Sequence, residues 1–126
     1  PLFISIDMEG GRVHRLKLPF TQWPALSKIG NIGSSTLAFR FALQMGEEMR
    51  GFGINLDFAP CLDILMNPKN EVIGDRSISS NPEKVTQLAT ALVRGYIKAD
   101  VIPCSKHFPG HGSTEIDSHF DLPISN

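Results

Sequence analysis

Cysteine is scarce: Cys61 and Cys104 are the two in the chain, too few for a disulfide framework and without the spacing of a metal-binding motif. Both read as buried free thiols, which suits a reducing compartment and gives a cytoplasmic expectation. Long hydrophobic runs are also missing. None approaches the roughly 20 apolar residues that cross a bilayer, and no charged-then-apolar leader of the secretory kind is seen, so no membrane partner is expected. Charge of one sign is not in excess either, with 12 Lys+Arg against 13 Asp+Glu and a net charge of −1. The cations are scattered rather than clustered, which leaves no electrostatic footprint for nucleic acid.

What remains is the composition of an ordinary soluble globular domain, 41% hydrophobic and 20% charged over 126 residues, and one domain at most. Apolar runs and helical periodicity alternate along it. Leu2 to Ile6 is a short apolar run ending at Asp7, as a buried parallel strand would. Ser35 is placed to cap a helix with an apolar face of Ala38, Phe41, Ala42, Met45 and Met49, ending at Gly51 or Gly53. Ile54 to Phe58 is the next strand. Asn81 followed by Pro82 is a cap and first-turn pair, and Val85, Leu88, Ala89, Leu92, Val93, Tyr96 and Ile97 make one apolar stripe behind it. Val101 to Cys104 is a third strand, giving the order β-α-β-α-β.

The connections are unequal. Helix-to-strand links take a few residues, whereas Met8 to Ser34 and Ala59 to Ser80 leave the C-terminal ends of strands as long polar loops. Barrels and open α/β sheets both build their active sites at that end. Asp7, Asp57, Asp63, Lys106 and His107 fall there. A complete (β/α)8 barrel takes about 250 residues, so the fold class expected is a partial TIM barrel. Residues 1–126 are expected to be a fragment of a single catalytic barrel domain.

The densest chemistry lies in KHFPGHGSTEIDSH, Lys106 to His119, which holds three histidines, a lysine and an aspartate. That segment, with FISIDMEGGRV (Phe3 to Val13), NLDFAPCLDI (Asn55 to Ile64), GDRS (Gly74 to Ser77) and the LP at Leu122 and Pro123, resembles glycoside hydrolase family 3. The Asp-Ser-His resembles the β-N-acetylglucosaminidase branch that acts in peptidoglycan recycling. The resemblance implies a TIM-like barrel, a retaining mechanism, removal of terminal β-linked N-acetylglucosamine from a carbohydrate substrate, and no cofactor. Retention needs a nucleophile and a group that protonates the leaving oxygen, then deprotonates water. The branch uses a histidine for the second task, here His119, held by Asp117. A histidine begins near the pKa this needs, and a carboxylate partner orients the ring and favours its charged form. The resemblance assigns Asp7, Arg12, Arg76, Lys106 and His107 to the sugar.

Plainer readings stand beside these. Asp-Ser-His also makes turns that satisfy their own backbone, Arg76 has Asp75 and Glu71 nearby as loop ion-pair partners, and Asp57 and Asp63 read as loop supports. His14 reads as a surface residue. His107, His111, His119 and Asp117 form a rival zinc or iron ligand set, though one spread over a glycine-proline loop without the fixed geometry of a helix face. Glu9-Gly10-Gly11 lacks the pattern of a phosphate loop. The Ser-Asp-Asp type motif that carries the nucleophile in the family does not occur in the sequence. The alternatives are a phosphorolytic relative and a noncatalytic sugar- or metal-binding fragment.

Overall fold

In the computed structural model, which describes residues 2–114 together with Leu122 and Ile124, the chain runs β1 (Ser5–Ile6), β2 (Met8–Gly10), β3 (Val13–His14), α1 (Leu26–Ile32), α2 (Ser35–Gly51), β4 (Leu56–Asp57), α3 (Pro82–Lys98) and β5 (Ile102–Pro103). The expected β-α-β-α-β order is present as β1, α2, β4, α3 and β5. The three strands are parallel in the order β1-β4-β5, with Ser5, Leu56 and Ile102 in one register and Ile6, Asp57 and Pro103 in the next. Backbone bonds extend this pairing past the strand ends, from Phe58 N–H to Ile6 O at 2.9 Å and from Cys104 N–H to Asp57 O at 2.8 Å.

The helices form where their periodicity and caps require. Ser34, one residue before the expected cap, takes the cap position of α2 and accepts from the Leu37 N–H; Ser35 begins the helix. Asn81 caps α3 through the Lys84 N–H at 2.7 Å, with Pro82 in the first turn. Ala38, Phe41, Ala42, Met45 and Met49 of α2 are buried against Val85, Leu88, Ala89, Leu92 and Tyr96 of α3 and against the strands. The stripe on α3 is narrower than expected, since Ile97 is exposed. Small residues set how closely the helices approach. A Cβ on Gly95 would lie 2.4 Å from the Phe39 carbonyl oxygen, inside any allowed contact.

Three further expectations are corrected. The segment from Met8 to Ser34 is not one open loop: it folds into a β2-β3 hairpin and α1. His14 pairs within that hairpin opposite Met8 and is buried, not a surface residue. Cys61 is buried as expected, but Cys104, just past the end of β5, is exposed. Among the described residues no helix is long and apolar enough to cross a membrane.

Candidate active site

The C-terminal ends of β1, β4 and β5 bring their loops to one place. Asp7 follows β1, and the hairpin then turns Glu9 inward. That turn depends on Gly10 and Gly11, whose φ values are +90° and +58°, a region that side chains with a Cβ rarely adopt. From β5 the chain continues beside the loop after β4: Lys106 lies in parallel register with Cys61, and Leu62 N–H donates to Lys106 O at 2.7 Å. The direction of the Lys106 side chain is thereby set by backbone pairing.

Four charged residues then meet over the strand ends. Glu9, 2% exposed, accepts from Arg76 Nε and Nη2, both at 2.9 Å, a bidentate pairing. Its Oε1 also lies 2.7 Å from Lys106 Nζ. Lys106 Nζ in turn donates to Asp7 Oδ1 at 2.7 Å. Burial pushes the Glu9 carboxyl up, but the hydrogen bonds and charges of Arg76 and Lys106 outweigh it and hold it below the usual carboxylate range. Burial likewise acts to lower the Lys106 ammonium pKa, and Asp7 and Glu9 reverse this and raise it. Asp7 is the outward member, its side chain 39% exposed, and so has acceptor capacity free for a ligand.

A second carboxylate organises the neighbouring loop. Asp63, with a side chain 0% exposed, accepts through Oδ2 from His107 N–H at 3.1 Å and His107 Nδ1 at 2.5 Å, and through Oδ1 from His111 N–H at 2.6 Å. Burial raises its pKa, and the bonds from His107 and His111 overcome that and leave it lowered. On the other side of the ring, His107 Nε2 lies 3.3 Å from Arg76 Nη2, so the two clusters join. A cleft of about 550 Å³ opens beside them, lined in part by Leu62, Met66, Lys106, His107 and Phe108.

The remaining sequence candidates divide. Arg12 directs its Nη2 to the carbonyls of Glu71, Val72 and Ile73, and its Nε pairs with Asp75 at 3.3 Å. It therefore ties down the loop that carries Arg76. Arg76 itself pairs with Glu9 rather than with Asp75 or Glu71. Asp57 is fully buried beneath the cluster and accepts from Met8 N–H at 2.9 Å, while burial pushes its carboxyl up to about 8. Asp117 and His119 lie outside the described residues. Glu9 is the member that sequence reasoning missed, its carboxylate hidden beside a glycine pair that reads as turn chemistry.

The metal donors brought together among the described residues are Cys61, Asp63 and His107, with donor atoms within 4.8 Å of one another. Asp63 Oδ2 is already hydrogen-bonded to both partners, with Cys61 Sγ at 3.3 Å and His107 Nδ1 at 2.5 Å. Burial also pushes the Cys61 thiol up to about 12. Among the described residues the set is tied together by hydrogen bonds through Asp63 Oδ2.

This arrangement of strand ends and loops has known counterparts. The chain matches the model of the glycosyl hydrolase family 3 N-terminal domain across residues 1–126. The chain belongs to glycoside hydrolase family 3. It is 45% identical over 98% of its length to β-hexosaminidase A of Pseudoalteromonas piscicida, of which it covers 21%. It superimposes with a TM-score of 0.95 and 50% identity on a family 3 β-N-acetylglucosaminidase from Paenibacillus sp. str. FPU-7, covering 98% of this chain and 23% of that one. NagZ from Neisseria gonorrhoeae in complex with N-trifluoroacetyl-D-glucosamine gives a TM-score of 0.89 at 43% identity, over 97% and 38% of the two chains. The chain thus spans from about a fifth to two-fifths of these relatives' lengths. Its fold is part of the family 3 TIM barrel.

Proposed function

We propose that residues 1–126 form part of a single (β/α)8 catalytic domain of a retaining exo-β-N-acetylglucosaminidase. The observation that carries this reading is the Asp7-Lys106-Glu9-Arg76 cluster, a ring of buried and half-buried charges at the strand ends of a family 3 chain. Asp7 grips sugar hydroxyls, a task for which the two oxygens of a carboxylate suit a vicinal diol, and Lys106, Arg76 and His107 supply the other polar contacts. Arg12 acts one step further out, by holding the loop that presents Arg76. Asp117 and His119 serve as the acid/base pair, the histidine first protonating the leaving oxygen and then deprotonating water. The likeness to NagZ in complex with an N-acylglucosamine supports N-acetylglucosamine as the sugar. Muropeptide-derived disaccharides in the cytoplasm are the proposed substrate, with the free thiols Cys61 and Cys104 in keeping with a reducing compartment.

The full-length protein is expected to release 4-nitrophenol from its β-N-acetylglucosaminide far faster than from its β-glucoside; equal rates would sink the N-acetyl assignment. In the same assay, His119→Ala should give a burst of nitrophenol followed by a slow steady state, because nitrophenolate departs without a proton while deglycosylation lacks its base. On a substrate with a poor leaving group the loss should be about 10²–10⁴-fold. Chelators should leave both activities unchanged.

A further inference from the structure

The hydrogen-bond partners on the two sides of the His107 ring determine which nitrogen carries the proton. Asp63 is buried and its pKa is held low by its bonds, so it is an ionised carboxylate that accepts only; His107 Nδ1, 2.5 Å from Oδ2, therefore carries a hydrogen. Arg76 has donors and no acceptor, and its Nη2 lies 3.3 Å from Nε2. A second proton on Nε2 would set donor against donor. The network thus assigns the neutral imidazole with Nδ1–H and a lone pair on Nε2.

We infer that Asp63 is a positioning residue that makes His107 a hydrogen-bond acceptor toward substrate, so that the group His107 meets is an O–H or N–H of the sugar. This rests on the sugar-site reading above and deepens it. His107 has 37% of its side chain exposed, so a sugar O–H can reach Nε2 and take up its one lone pair by displacing the long 3.3 Å contact from Arg76. The same carboxylate also holds the far end of the loop through His111 N–H at 2.6 Å. Residues 107–111 are spanned by one buried anion, and from there the chain continues toward Asp117 and His119.

Imidazole ¹⁵N spectra of the full-length protein at neutral pH, with the His107 signals identified by their loss in His107→Gln, test the assignment. A pyrrole-type Nδ1 and a pyridine-type Nε2 are expected. The opposite tautomer, or two pyrrole-type nitrogens, would overturn it without any variant of Asp63 having to fold. Asp63→Asn offers an amide N–H to Nδ1 and should move the proton to Nε2. It should lower kcat/KM by about 10–100-fold, the usual effect of losing the partner that orients an imidazole. Activity lost with the tautomer unchanged would make Asp63 a support of the fold alone. The spectra are read whether or not the protein hydrolyses N-acetylglucosaminides, so failure of the substrate assignment and failure of this inference are separate results.

Discussion

Glu9 and Asp57 are both buried carboxyls near the same lysine, yet their pKa values shift in opposite directions. Two cations touch Glu9, and their attraction exceeds the desolvation cost, so it stays charged. Asp57 receives the Met8 N–H. The Lys106 charge and the Tyr96 hydroxyl also favour its ionised form, but desolvation outweighs them. The signs for stability follow. A carboxyl with a lowered folded pKa, like Glu9, stabilises above its ordinary value of 4.5, and that contribution is lost as pH falls through the folded pKa. Asp57 does the reverse: between its ordinary 3.8 and about 8 the folded state holds a proton that the unfolded chain has released, so stability drops as pH rises across that window. Denaturant melts of the full-length protein as a function of pH should therefore show Asp57→Asn losing less stability than wild type between the two ends of that window. Glu9→Gln should cost on the order of 3 kcal/mol at neutral pH, as removal of one partner from a buried pair does, with less further loss on acidification. An Asp57→Asn variant with the wild-type slope would show that this carboxyl ionises normally.

The α2-α3 pair shows what a single element position can decide. Gly95 lies where α3 meets α2, and a Cβ there would come 2.4 Å from Phe39 O and 2.8 Å from the Ala42 Cβ. Both neighbours belong to a packed helix and neither is a flexible side-chain end. Gly95→Ala should destabilise the protein despite alanine's better helix propensity of about 1 kcal/mol, whereas Gly51→Ala, with nothing near its Cβ, should not. A thermal melt in which Gly95→Ala gained stability would refute the close approach. The same elements show what was legible. Seventeen-residue helices repeat their apolar spacing often enough to be read, and their caps are chemical signals. Helix α1, with seven residues including Gly30 and Asn31, repeats too few times to stand out from a loop. The β2-β3 hairpin breaks register between Met8 and Gly10, so its alternation is lost. At the site, Lys106 and His107 were visible through their motif. The roles of Glu9 and Asp63 depend on partners 67 and 44 residues away, separations that no local pattern encodes.

At the scale of the whole molecule, the charged site sits, among the described residues, on an arc of three parallel strands. Among the described residues, β1 and β5 are each paired on one side, and Leu2, Phe3, Ile4, Phe58 and Ile102 around these strands are exposed. Unpaired strand edges and contiguous apolar side chains both favour association, whereas the outer faces of α2 and α3 are polar and exposed. Barrel closure in the longer relatives is the arrangement that covers such strands. The chain alone is therefore expected to self-associate and to bind a hydrophobic dye. Light scattering would report species above 13.9 kDa. Replacing Leu2 and Phe3 by serine should reduce the association and leave the helical circular dichroism intact, because neither residue packs into the α2-α3 core. If the unmodified chain were instead a monodisperse monomer that melts cooperatively and binds no dye, the exposed strand surface would not be a face that needs covering, and the three-strand arc would have to be stable as a unit.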